Sequence, residues 1–288
     1  NVYNTAVGHG AGAEVTTGTG NTLIGGLSGD ALLASADNVA VGYLSLSTET
    51  GGQNNVAVGR SALENQVNSS GNIYNTAVGA KAGRAVTTGI QSTLIGGLAG
   101  DALTDADYNV ALGYAALSAD TLGSRSTAIG YAALETQNFT SATNTYNTAV
   151  GHGAGNQLTT GTGNTFVGGL AGDAITTGAG NVAVGLGALG DEQAGGHNTA
   201  VGEDAQAQSN GSIGCTSLGT LAGYQITTGD NNMCLGKDSG RSGSPGGALT
   251  SADNQICLAD ENITHAYVQV DWTIASDQRD KTDFTALD

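Results

Sequence analysis

A five-residue pattern, Asn-x-small-Val/Ile-Gly, recurs along this chain with a period of 17 residues. It reads NTAVG at 4–8, NTLIG at 21–25 and NVAVG at 38–42 and 55–59. Further copies end at Gly79, Gly96, Gly113, Gly130, Gly151, Gly168, Gly185 and Gly202, and degenerate ones at Gly219, Gly236 and Ala259. The spacing departs from 17 three times, to 20 before Gly79, 21 before Gly151 and 23 before Ala259. Three residues after every repeat glycine from Gly8 to Gly236 stands Ala or Ser, beginning with Ala11 and Ser28 and ending with Ala222 and Ser239. A unit this short cannot bury an apolar face alone, so successive copies must stack on one another.

A longer period lies over the first. NVYNTAVGHGAG, NIYNTAVGAKAG and NTYNTAVGHGAG begin at Asn1, Asn72 and Asn144. Each opens a block of four rungs, and the 20- and 21-residue spacings fall at block boundaries. Residues 66–71 and 137–143 are therefore predicted to be loops protruding from a regular stack, where variable, function-bearing surface is commonly found.

The period is too short for a helical hairpin, and Val, Ile and Thr beside Gly favour strand over helix. The predicted fold is all-β: a repetitive parallel β-solenoid or β-roll over residues 1–260, with about 15 rungs. Each rung would hold one or two short strands and Gly/Asn/Thr turns, such as TTG at 16–18, 87–89, 159–161, 176–178 and 227–229. The repeating Asn suits either a left-handed turn residue or a side-chain ladder between rungs. Alternation along the strand puts Thr5 and Val7 on one face, and Asn4, Ala6 and Gly8 on the other. Valine is expected inside the coil; the small, uncharged face is expected to pack on something else, which oligomerisation would supply. At a strand spacing of about 4.8 Å the rod would be roughly 70 Å long.

Composition removes several function classes. With 48 Gly but a single Pro the chain is not collagen-like. Eight Lys plus Arg against 25 Asp plus Glu, a net charge of −17, cannot form the basic patch that nucleic acid requires. No apolar run approaches the ~18–20 residues of a bilayer span, so neither nucleic acid nor membrane insertion is expected. GxG matches at 8–10 and 151–153 arise from the repeat and precede no helical segment; Walker, G-x-S-x-G and calcium-nonapeptide patterns are missing. No cofactor is expected.

His9, His152, His197 and His265 lack metal-ligand spacing, and His9 and His152 occupy equivalent repeat positions. Asp30, Asp101 and Asp173 recur in GGLxGDA and read as turn caps rather than oxygen ligands. No metal site is assigned. Cys215, Cys234 and Cys257 form neither an even framework nor a C-x-x-C pair, and read as small buried hydrophobes. Cys234 and Cys257 would come within disulfide reach if they stack in adjacent rungs, though nothing in the sequence requires the bond. Tyr43, Tyr114 and Tyr131 follow repeat glycines at equivalent positions. Such an aromatic row either stacks on sugar rings of a ligand or packs over the edge of the roll.

Over residues 1–259 the run NTAVGxxAG…TTGxxNTLIG resembles the head repeats of trimeric autotransporter adhesins (YadA-like heads) and the repeats of phage tail fibres and tail spikes. The resemblance implies a left-handed β-roll and a homotrimer of three chains wound side by side, with the small face towards the threefold axis. From Ala266 the sequence changes to AYVQVDWTIASDQRDKTDF, with apolar residues alternating at Val268, Val270, Trp272 and Ile274. Residues 261–275 read as a β-strand neck. Residues 276–288, within ASDQRDKTDF, resemble the start of the intramolecular chaperone domain of phage fibres and endosialidase-type spikes. By that resemblance Ser276 and Lys281 form a self-cleaving dyad, in which a lysine of lowered pKa activates the serine hydroxyl.

The implied function is a structural and adhesive segment of a phage tail fibre on the virion, displaying surface to a host-cell glycan or protein receptor. Apart from one-time autoproteolysis it is not expected to be an enzyme. The head of a bacterial trimeric adhesin on the cell surface is the first alternative, although 266–288 shows no sustained heptads. A glycan-binding or depolymerising tail spike is the second; hydrolysis would require a pair of converging carboxylates, which no motif marks. An ice-binding solenoid is disfavoured because the TTG turns skip rungs.

Overall fold

The structure, a computed structural model, describes residues 2–265. Ser276, Lys281 and the chaperone-like segment lie outside these residues. So does the neck beyond 265; residues 261–265 are a turn followed by irregular chain. The described chain is all-β, and its main element is a parallel sheet of 15 three-residue strands in sequence order, from Thr5–Val7 to Ile256–Leu258. Two further two-stranded pairs, Gly52–Gln53 with Gly71–Asn72 and Gly123–Ser124 with Thr143–Asn144, form where the block boundaries lengthen the rung.

The repeat fixes the register. Equivalent residues of successive rungs are sheet partners throughout, as in Thr5↔Thr22, Ala6↔Leu23 and Val7↔Ile24. The glycine that ends each strand is required by close approach of backbones. At Gly96 (φ +132) an added Cβ would lie 2.3 Å from the carbonyl oxygen of Gly113 in the next rung. The 17-residue coil then closes through corners in which the chain alternates hand.

The second and fourth residues after each repeat glycine take positive φ, as in Leu27 (φ 54) with Gly29 (φ 54), and Leu44 (φ 56) with Leu46 (φ 52). So does the residue before each repeat Asn, such as Tyr108 (φ 61). A left-handed residue costs roughly 1–2 kcal/mol outside glycine. The return is that peptide groups point both ways along the rod. Leu27 N–H donates back to His9 O at 2.9 Å, while Gly29 N–H donates forward to Ser45 O at 2.9 Å. Each interior corner is thereby bonded to both neighbouring rungs, which satisfies backbone that would otherwise be orphaned.

The interior reverses the expectation drawn from valine. In the interior rungs the middle residue of the strand is the buried one, as with Ala40, Ala57 and Ala77, whereas Val39 and Val41 on either side are half-exposed. Thr and Val/Ile face outward; Asn, the mid-strand residue and the Ala/Ser after the corner face inward. The cause is width. The lumen is filled from the opposite wall by one large side chain per rung, leaving a methyl group's room on the strand side in most rungs.

That large side chain comes from one of two places. Rungs with Gly at the fourth position after the repeat glycine carry an apolar residue at the seventh, as in Gly29 with Leu32, Gly100 with Leu103 and Gly172 with Ile175; in the fourteenth rung, with Gly240 and Gly243 at these places, Leu249 is the buried apolar residue. Rungs with Leu at the fourth carry a buried polar residue at the seventh: Leu46 with Glu49, Leu117 with Asp120, Leu189 with Glu192. The two kinds alternate in pairs, with Gln206 in place of Leu in the twelfth rung. The second rung of each of the first three Gly pairs adds a large mid-strand residue (Leu23, Leu94, Phe166), which occupies the space that Cβ atoms on flanking glycines would fill. A Cβ on Gly172 would stand 2.6 Å from Phe166 Cε1.

Of the two readings of the repeating Asn, the structure selects the ladder; the left-handed conformation belongs to the residue before it. Asn38 N–H donates to Asn21 Oδ1 at 3.0 Å, and Asn21 Nδ2 donates to Ser35 O at 2.8 Å. One side chain thus satisfies a backbone donor in the next rung and a carbonyl across the coil. Ser92, Ser126, Cys215 and Gln255 replace Asn in this column.

The predicted protruding loops are only partly so. Gln66 and Gln137 are fully buried, while Ser69, Ser70 and Asn138 are exposed. Each glutamine serves a buried carboxylate. Glu49 Oε1 accepts the N–H groups of Thr50, Gly51, Gly52 and Asn68 at 2.7–3.1 Å, and Oε2 accepts Gln66 Nε2 at 2.8 Å. Asp120 accepts Gly123 N–H and Phe139 N–H, both at 3.0 Å, and Gln137 Nε2 at 2.6 Å. Burial outweighs those donors and holds the Asp120 carboxyl above its ordinary pKa. Glu192 accepts Gly195 N–H at 2.7 Å and Ser209 Oγ at 2.6 Å. Through these hydrogen bonds the acids fasten the corner turns.

Candidate functional site

The outward face of the main sheet is the feature with the clearest capacity for interaction. Its residues are the first and third of each strand: Thr or Val, then Val, Ile or Leu, with Met233 and Ile256 opening the last two strands. None of these positions carries a charge, in a chain of net charge −17. Ile24, Leu112 and Leu218 are 39%, 43% and 51% exposed. Fourteen strand spacings of about 4.8 Å and a width of three residues at ~3.3 Å each give on the order of 700 Å² of flat, mainly apolar surface. Patches on monomeric proteins rarely exceed about 300–600 Å². β-Branched residues in register on a pleated face offer the flat packing that sheet association uses.

Two aromatic edges border this face. Along one, the residue after each repeat glycine forms a column. There Tyr114 and Tyr131 stack at 5.7 Å between centroids, 14° from parallel, and Tyr131 stacks on His152 at 5.0 Å and 11°. Along the other, the left-handed residue before each Asn supplies Tyr74, Tyr108 and Tyr146. Arg125 lies over the Tyr108 ring at 4.6 Å and donates from Nε to Asn144 Oδ1 at 2.9 Å.

The structure brings Tyr114 and Tyr131 together and leaves Tyr43 four rungs away, its ring against Gly26. Both faces of Tyr131 are covered by its neighbours, so a sugar ring could meet only its edge and hydroxyl. His9, His152 and His197 lie in separate rungs, and His265 pairs with Thr264 Oγ1 at 2.8 Å. Among the described residues no three His, Cys, Asp or Glu side chains converge as metal ligands. Asp30, Asp101 and Asp173 lie in separate rungs; burial raises the pKa of all three, and Asp30 Oδ1 is buried without a hydrogen-bond partner. A shallow depression of about 360 Å³ lies between Asp238, Arg241, Asp260 and Glu261, where Arg241 and Lys237 are already paired with Asp238.

Sequence reasoning missed the carboxylates Glu49, Asp120 and Glu192. Their signal was available: they recur 71 and 72 residues apart, in step with the four-rung block. Among the described residues no helix is long and apolar enough to cross a membrane. No protein-family model matches the chain, and no curated protein matches it.

Proposed function

We propose that this chain is a rod-forming structural and adhesive segment of a phage tail fibre, acting as a homotrimer with its Thr/Val/Ile sheet faces turned towards one another. The observation that carries the reading is the uncharged outward face, about fifteen strands long, on an otherwise strongly acidic chain. A face of roughly 700 Å² per chain approaches the ~800 Å² per partner of a standard stable interface. This reading inverts the arrangement expected from sequence: valine and isoleucine, not the small residues, meet at the axis. Three rods side by side leave the corner loops outermost, where repeated copies would give a host-surface receptor multivalent contact. The segment at 276–288, with Ser276 and Lys281 as a one-time self-cleaving pair, adds the phage-fibre context by resemblance alone. A bacterial adhesin head would use the same rod, and the aromatic edges leave room for a glycan ligand.

The test is native mass by light scattering. A threefold mass is expected for the wild type. Lysine at outward positions, Val41→Lys with Val58→Lys and Val184→Lys with Val201→Lys, should leave β-structure intact and shift the mass to one chain. A wild-type chain that stays monomeric at micromolar concentration would defeat the proposal. Cleavage is checked separately, by intact mass of the chain as encoded in its source with and without Ser276→Ala.

A further inference from the structure

We propose that Cys234 and Cys257 are a disulfide-forming pair that staples the fifteenth rung to the fourteenth. The two are direct sheet partners, Cys234↔Cys257, at the inward mid-strand position that Ala200 and Ser217 hold in preceding rungs. In-register neighbours in a sheet stand about 4.8 Å apart, within the ~4.4–6.8 Å Cα window of disulfides. Both are buried, in a cluster with Ile226, Leu249 and the third cysteine, Cys215. Both sulfurs converge on Gly240, whose N–H donates to Cys257 Sγ at 3.1 Å. A Cβ on Gly240 would lie 2.6 Å from Cys234 Sγ, so the missing side chain leaves the space into which the sulfurs can turn.

The third cysteine is otherwise engaged. Cys215 stands in the Asn column, where its Sγ accepts Asn232 N–H at 3.4 Å and lies 3.2 Å from Gly229 O. It substitutes for an Asn and has no cysteine as sheet partner. The pair also sits where a staple has most to hold. The spacing between these rungs, 23 residues, is the longest in the chain, and residues 241–247 with Pro245 lie within it. Closing a longer loop costs more chain entropy, so the fifteenth rung is the one whose closure the repeat supports least.

The chemistry is a two-electron oxidation by a small disulfide such as oxidised glutathione. One thiolate attacks the glutathione S–S bond, releasing a glutathione thiol and leaving a mixed disulfide. The second thiolate then displaces the second glutathione. The protein loses two hydrogens and gains one S–S bond, and two glutathione thiols are formed. Burial pushes the Cys234 thiol up to about 12, which suppresses its thiolate in the closed rung. The bond is therefore made while the last rung closes, not afterwards.

The full chain is refolded from denaturant in a glutathione redox buffer, alkylated under denaturing conditions, and its thiols counted by mass. One alkylated thiol, at Cys215, is expected, with a linked peptide joining Cys234 to Cys257. Cys215→Ala should leave no free thiol. Cys234→Ala and Cys257→Ala should each leave two; alanine is the common residue of that column, so these variants keep the fold. Amide exchange in Ile256–Leu258 should slow on oxidation in the wild type alone. Three free thiols after oxidative refolding, or a linkage that includes Cys215, would overturn the proposal.

Discussion

Asn164 sits mid-ladder, and its removal gives a cost that can be worked from its bonds. Its Oδ1 accepts Asn181 N–H at 2.9 Å, and its Nδ2 donates to Gly178 O at 2.9 Å. No other partner serves either backbone group in a fully buried column. Asn164→Ala therefore strands one donor and one acceptor, each costing about 1–3 kcal/mol, for a total of about 2–6 kcal/mol. Asn164→Ser is milder by one group. Ser92 holds the equivalent place and its Oγ still accepts Asn109 N–H at 3.1 Å, so only the carbonyl is stranded and the cost is about 1–3 kcal/mol. Stability in a stacked array is a sum of rung and interface contributions, and global unfolding is not guaranteed to be two-state. The assay is thus amide exchange resolved at Asn181, with guanidinium unfolding beside it. The Asn181 amide should lose protection in the alanine variant and keep most of it in the serine variant. Unchanged Asn181 protection in Asn164→Ala, or a loss below about 0.5 kcal/mol, would refute the ladder as a source of stability.

Gly96→Ala should be among the most damaging single changes, costing more than about 3 kcal/mol, because its Cβ meets backbone and not a movable side chain. Its melting temperature and solubility report this, and a near-wild-type melt would contradict the close approach. Phe166→Leu should cost about 1–1.5 kcal/mol and Phe166→Ala about 3–5 kcal/mol by denaturant midpoint, since Leu23 and Leu94 fill the same slot in other blocks. Asp120 has a folded pKa raised above 3.8. Between those two values the folded state holds more protons than the unfolded one, so stability falls as pH rises through the window. Wild type should therefore gain on Asp120→Asn as pH is lowered towards 4, and a midpoint difference flat from pH 7 to 4 would count against it.

Repeat length, strand positions, block size and parallel stacking were all legible in the sequence, because each shows as a spacing. Which side of NTAVG faces inward was not. Alternation separates Val7 from Ala6 but does not say which side is enclosed, and the greater hydrophobicity of valine pointed the wrong way. The deciding quantity is the lumen's width, set by Leu46 or Leu32 on the far wall, a contact that no strand carries in itself. The left-handed leucines were hidden for another reason: propensity forbids them. The column nevertheless held the clue, since Gly12 and Gly29 alternate with Leu46 and Leu63 in one repeat position. As for the interaction surface, its rows were visible, but the same inversion hid that valine and isoleucine form it. The stacking of Tyr114, Tyr131 and His152 depends on a column being read across rungs.

The paired alternation of Gly-type and Leu-type rungs makes length a quantised property of this molecule. Excising 17 residues would set a rung's filled side against a neighbour that expects a gap, or open a hollow where two small walls meet. Excising residues 4–74 instead joins Tyr3 to Asn75 and restores the junction NVYNTAVG, with each interior facing the kind of neighbour it had before. Such a rod can be lengthened or shortened by recombination between its own near-identical blocks, and only in those steps. Reach can then change between related molecules while each rung's chemistry stays the same.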